Sequence, residues 1–185
     1  INSVPRCFKN QAEYRYRGRI HEMVYHAERS VMKYYQMPQL AIYHLGYQKQ
    51  VIEDRDKIIR DTHLMEAMIQ DQPTANETQR MYGILANLYQ SIGEIDKALE
   101  LLKKGLAIVD DIFILSMLQS TYVRLLIQLK QFDQVLSFIE SLPQPVENVK
   151  ILLFKSFSHH QQGDLAAAIV AAETALQIWE ATALM

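Results

Sequence analysis

Gly93-Glu94-Ile95-Asp96-Lys97-Ala98-Leu99 recurs twice in looser form. The copies are Lys130-Gln131-Phe132-Asp133-Gln134-Val135-Leu136 and Gly163-Asp164-Leu165-Ala166-Ala167-Ala168-Ile169. Aligned on Ile95, Phe132 and Leu165, they lie 37 and 33 residues apart. A period of that size marks stacked two-helix units. Glycine lets the chain reverse tightly after a first helix. The apolar residue two positions on is expected to dock into the hairpin. The small residue three further on lets the two helices approach closely. Periodicity around these turns predicts helices over 79–91, 95–109, 112–129, 132–141, 147–162 and 165–180. The links Ser91–Glu94, Lys130-Gln131 and Gln161–Asp164 are short, which makes neighbouring helices antiparallel. Pro143-Gln144-Pro145 cuts the fourth of these helices short.

This pattern resembles the tetratricopeptide repeat (TPR) family. Residues 79–112 fit best, with Tyr82, Leu85-Ala86, Tyr89, Gly93, Ile95, Ala98-Leu99, Leu102, Gly105 and Leu106 at the family's large, small and turn positions; Asp110 replaces the usual closing proline. Residues 116–143 match more loosely, with Val123 and Val135 at small positions. Residues 149–180 match through Ala168, Ala172, Ala175 and Leu176, although Lys155 and His159 occupy apolar positions of their first helix. The resemblance implies an all-α fold, a TPR-like α-α superhelix of antiparallel hairpins preceded by extra N-terminal helices. It also implies a concave groove lined by the first helix of each hairpin, which holds a protein or peptide segment and performs no chemistry.

Mapped onto this chain, the groove positions are Arg80, Gly83, Asn87 and Gln90 in the first hairpin, and Met117, Ser120, Arg124 and Gln128 in the second. Of these, Arg80, Asn87, Gln90, Arg124 and Gln128 are the candidate binding residues. One branch of the family grips a C-terminal carboxylate with two Lys, an Asn and an Arg. Asn87 and Arg124 match that set, but Gly83 and Ser120 stand where its lysines belong, which argues against chaperone-tail binding. Such repeats commonly accompany phospho-receiver or DNA-binding domains. The resemblance therefore implies a regulatory or scaffolding part of a bacterial signalling or transcription regulator. The alternative is a peptide-sensing domain that changes conformation on binding a short signalling peptide.

Outward from the repeats, two parts are expected: an N-terminal helical segment over 1–73 and the array over 74–185. Ile20, Val24, Ala27, Val31 and Tyr34/Tyr35 follow helical spacing, and Pro38 ends that stretch. Leu40, Tyr43, Tyr47 and Val51 form a second stripe, which Ile58, Met65, Met68 and Ile69 continue. Across the charged stretch Glu53–Lys57, residues 39–70 form either one long helix or two that break near Asp61-Thr62. Thr74-x-x-Glu77 has capping-box spacing.

The chain has 185 residues, is 49% apolar and 22% charged, and carries a formal charge of −2. That composition suits a globular chain and excludes a disordered one. A single cysteine, Cys7, excludes an internal disulfide and a cysteine-based zinc site. No apolar run approaches the ~18 residues of a membrane span. With no apolar leader core in the first residues, a cytoplasmic location is expected. The start at Ile1 rather than Met suggests a piece of a longer protein.

Residues 1–50 carry eight Lys/Arg against three Glu, a balance of +5 that leaves −7 for the rest. Seven of the ten tyrosines also lie there. Tyr14-Arg15-Tyr16-Arg17-Gly18-Arg19 has the composition of a single-strand nucleic-acid binder. Three arginines supply too few phosphate contacts, however, so a helix start with packed tyrosines is preferred and nucleic acid is not an expected partner.

Chemistry-bearing motifs are weak. His21 and His26 are five apart, about 140° round a helix, where zinc needs four. His159-His160 point to different faces, and no nucleophile motif surrounds Cys7. There is no glycine-rich phosphate loop. No enzyme, metal or cofactor is expected. The last helix is apolar, and arrays need a polar outer face there. This points to a partner surface or a homodimer contact through the C-terminal helix.

Overall fold

Tyrosine and arginine alternate with period two over Tyr14–Arg17, and in the computed structural model this stretch is a strand, β1. It pairs antiparallel with β2 (Met23–His26), placing Tyr14 opposite His26 and Tyr16 opposite Val24. Val24 is buried, and the Tyr14 and His26 rings meet edge to face at 4.9 Å. The helical reading of this stretch is therefore corrected at β1 and β2. Val24 and Ala27 satisfy a helical spacing, but aromatic and β-branched residues on alternate positions suit a pleated surface better. The helical angle assigned between His21 and His26 goes with it, because His26 sits on a strand, where its Nδ1 accepts from the Glu28 amide (3.1 Å).

The structure describes residues 11–17, 20, 23–28, 55–143 and 148–183. It divides into two compact units, Ile1–Met81 and Tyr82–Met185. Apart from the β1–β2 hairpin, every described element is a helix. Cys7, His21 and the stripe Leu40, Tyr43, Tyr47 and Val51 lie outside them.

In the first unit, α1 (Arg55–Asp71) runs unbroken through Asp61-Thr62, which removes a break at that point. Thr62 Oγ1 donates to the Ile58 carbonyl at 2.8 Å, so the hydroxyl is satisfied within the helix. Met65 and Met68 are buried, as the stripe predicts. The capping box at Thr74 does not form. The following helix, α2 (Asn76–Gln79), has Ala75 as its N-cap and no side-chain cap bond. Thr74 stands one residue too early, and its carbonyl accepts from Gln79 Nε2 at 3.2 Å. The helix expected from residue 79 thus begins as α2 and restarts as α3 (Met81–Ser91).

The second unit continues with α4 (Ile95–Ile108), α5 (Ile112–Gln128), α6 (Phe132–Glu140), α7 (Val149–Gln161) and α8 (Leu165–Ala183). These bounds follow the predicted helices closely. The three hairpin turns share one geometry. Gly93, Lys130 and Gly163 have φ of 85°, 58° and 82°. In each turn the next amide bonds back five residues: Glu94 to Tyr89, Gln131 to Leu126, Asp164 to His159. The turn residue's own amide bonds back three, to Gln90, Ile127 and His160. That pair of bonds is a Schellman motif, which closes the carbonyls left open at a helix end.

The small positions behave as the repeat predicts, with Ala98, Val135 and Ala168 all buried. The apolar position does so only in part. Ile95 and Phe132 are half-buried, but Leu165 is 58% exposed. Phe132 is covered by Phe157 of the next hairpin, ring centroids 6.2 Å apart. Among the described residues no hairpin follows Leu165 to cover it.

Helix starts are built differently from those ends. Asp111 caps α5, accepting from the amides of Phe113 and Ile114, and Asn148 caps α7 through Lys150 and Ile151. Tyr82, Leu85, Leu102, Leu118, Leu125, Ile139 and Ile151 form the core between the helices. Burial pushes the Tyr82 phenol above its ordinary pKa, so it stays neutral.

Candidate functional site

The first helices of the hairpins are α3, α5 and α7. A side-chain ladder joins α3 to α5. Arg124 Nη2 donates to Asn87 Oδ1 at 2.7 Å and to Gln90 Oε1 at 3.2 Å. Gln90 Nε2 then donates to Gln128 Oε1 at 2.7 Å. Asn87 Nδ2 turns back to the Gly83 carbonyl at 2.8 Å. Four of the five candidate residues are therefore brought together: Asn87, Gln90, Arg124 and Gln128. The 37-residue repeat places Asn87 beside Arg124, and the one-turn spacing within each helix lets the amides bridge. The fifth, Arg80, belongs to the other compact unit, where it ends α2 half-buried.

Gly83 and Met117 form a second cross-helix pair. A Cβ on Gly83 would lie 2.6 Å from Met117 Cε and 3.2 Å from Leu118 Cδ2. The thioether thus covers the place where a clamp lysine would emerge. Ser120 donates to the Ser116 carbonyl of its own helix at 2.9 Å. Between α5 and α7, Asn148 Nδ2 donates to Ser116 Oγ at 2.7 Å.

The third hairpin adds residues that the sequence reading did not single out. The 33-residue step carries Met117, Ser120, Arg124 and Gln128 onto Lys150, Leu153, Phe157 and Gln161. All four are exposed on α7, including Leu153 at 51% and Phe157 at 44%. The repeat register was the available signal, since the same step from the second hairpin gives all four. Met117 is likewise exposed, at 40%. The face therefore changes character, from an amide and guanidinium ladder on α3–α5 to aliphatic and aromatic side chains on α7.

Among the described residues no three His, Cys, Asp or Glu side chains gather where they could hold a metal ion. His159 Nδ1 lies 3.8 Å from Asp164 Oδ2, beyond hydrogen-bond distance. Among the described residues no helix is long and apolar enough to cross a membrane.

No protein-family model and no curated protein matches this chain. A solved structure does: MamA MSR-1 C2 is 20% identical, with a TM-score of 0.51 over 71% of this chain and 73% of that one. MamA is a TPR-containing protein. The fold is TPR-like. At this identity the likeness concerns architecture, and it agrees with the shared turns and the stacked hairpins.

Proposed function

We propose that this protein is a member of the TPR family that acts as a non-enzymatic binding module, with the exposed face of α3, α5 and α7 as a groove for a protein or peptide segment. The single observation that carries this reading is the ladder Asn87–Arg124–Gln90–Gln128. It holds a guanidinium and three amides in register on an exposed face, with Arg124 Nη2 donating to two neutral amide oxygens. Amides and a guanidinium so arranged are suited to pairing with a peptide backbone and its polar side chains. Arg80 is the further candidate from the sequence. In cells such a module serves as the regulatory or scaffolding part of a signalling or transcription regulator. The outer face of α8 supplies a second contact, to another copy of the chain.

Selection of a random 12-residue peptide library on the immobilised full chain tests the groove. Enriched peptides should bind wild type and lose about tenfold or more in affinity on Arg124→Ala, the loss expected for one charge-assisted contact. Failure to enrich any peptide, or equal binding by the variant, overturns the reading.

A further inference from the structure

Charge is segregated between the two helix sets of the second unit. Residues 82–185 contain eleven acids and seven Lys/Arg, a balance of −4. None of those acids lies on α3, α5 or α7. The same three helices carry Arg124, Lys150 and Lys155. Six of the acids sit instead on the second helices, as Asp96, Glu100, Asp133, Glu140, Glu173 and Glu180. Among the described residues, none of the three first-helix cations has an acid within ion-pair distance, whereas Lys97 and Lys104 of α4 lie 3.4 and 2.7 Å from Glu94 and Glu100. An acidic unit thus keeps acids off its first helices, whose groove face carries Arg124 and Lys150. Beside Arg124 and Lys150 on that face are the exposed apolar side chains Met117, Leu153 and Phe157.

Charge complementarity names the occupant. We propose that this face binds an extended acidic segment of a partner protein carrying one large apolar side chain. Arg124 and Lys150 meet its carboxylates, and Leu153 and Phe157 cover the apolar group. This rests on the protein-binding reading above and adds the class of partner. A polynucleotide fits less well, because so few cations neutralise few phosphates and aliphatic Leu153 and Met117 offer no stacking surface.

Fluorescence anisotropy on the full chain separates the possibilities. The probes are 12-residue peptides blocked at both ends: one rich in Glu with a central Phe, the same with Ala for Phe, and the same with Lys for every Glu. A 12-nucleotide oligothymidylate is the fourth probe. The acidic Phe peptide should bind about tenfold or more tighter than the Lys version, weaken as salt rises, and lose about tenfold on Ala replacement of its Phe. Arg124→Gln with Lys150→Gln should remove the charge preference, and Leu153→Ser should remove the Phe preference. All three positions are exposed, and circular dichroism checks that the variants fold. Equal binding of acidic and basic peptides, indifference to the Phe, or tighter binding of the oligonucleotide overturns the proposal. If library peptides depend on Arg124 but carry no excess of Asp and Glu, this inference fails while the binding reading stands. If no peptide binds at all, both fall.

Discussion

At Lys130 a non-glycine residue holds a φ of 58°, in the turn position that Gly93 and Gly163 occupy in the other two hairpins. A Cβ in that region costs about 1–2 kcal/mol. Lys130→Gly should therefore raise the urea midpoint, by about 1 kcal/mol of stability once the extra freedom of the unfolded glycine is deducted. Gly93→Ala should lower it by a similar amount, although open space surrounds the new methyl, because the strain is in the backbone. Gly105 is the opposite case. A Cβ there would lie 2.9 Å from Tyr82 Cβ and 3.0 Å from Leu118 Cδ1. Gly105→Ala should destabilise by about 1–3 kcal/mol through overpacking, read by the same denaturation. Gly83→Ala should cost less, since its closest contact is the tip of a flexible, part-exposed Met117. Of these four positions, Gly93 and Lys130 were legible in the sequence as turn residues. Gly105 also fits the repeat pattern, but the side chains that close on it and on Gly83 needed coordinates, because nothing local says which helix lies opposite.

Along α8, Ala168, Ala171 and Ala175 are buried while Leu165, Ile169, Val170, Leu176 and Trp179 are exposed. The helix packs its small residues and presents its large ones, the reverse of an ordinary amphipathic helix. Small side chains are what let α7 and α8 lie close, with Ser156 Oγ on α7 donating to the Ala168 carbonyl at 2.8 Å. Ala171→Leu should thus destabilise by about 1–3 kcal/mol, while Trp179→Ser should stay within about 0.5 kcal/mol of wild type in thermal unfolding. A hydropathy reading inverts this expectation, since it assigns the large residues to the core. The repeat register, by contrast, marked Ala168 and Ala175 as small packed positions, so the element and its packed side were legible in the sequence, while the burial of Ala171 rather than Ala172 was not. At the other end of the same scale, Asn148 both caps α7 and reaches Ser116 on α5. Asn148→Ala should cost about 1–2 kcal/mol, toward the upper end of cap losses because an inter-hairpin bond goes with the cap.

Across the second unit, each hairpin leans on the next, as Phe132 on Phe157 shows. The large exposed residues of α8 are left over by this arrangement. On the reading that α8 contacts another copy, light scattering at high concentration should give twice the chain mass, and Leu176→Glu should restore the single-chain mass by placing a charge in an apolar contact. A single-chain mass for wild type at every concentration would remove that contact.

The hairpin turns, the helix bounds and the small-residue positions are written locally, in spacings of a few residues, and so could be read without coordinates. The strand pair near the N-terminus was legible in its alternation of tyrosine and arginine, yet a competing helical spacing overlapped it. The tertiary structure alone decided which residues of neighbouring first helices touch, how far each large side chain of α8 is exposed, and where unneutralised cations share a face with exposed apolar side chains. The physical reason is that helix formation rests on near neighbours in the chain, whereas the contacts between first helices join residues more than thirty positions apart, as Arg124 with Asn87 and Asn148 with Ser116 show.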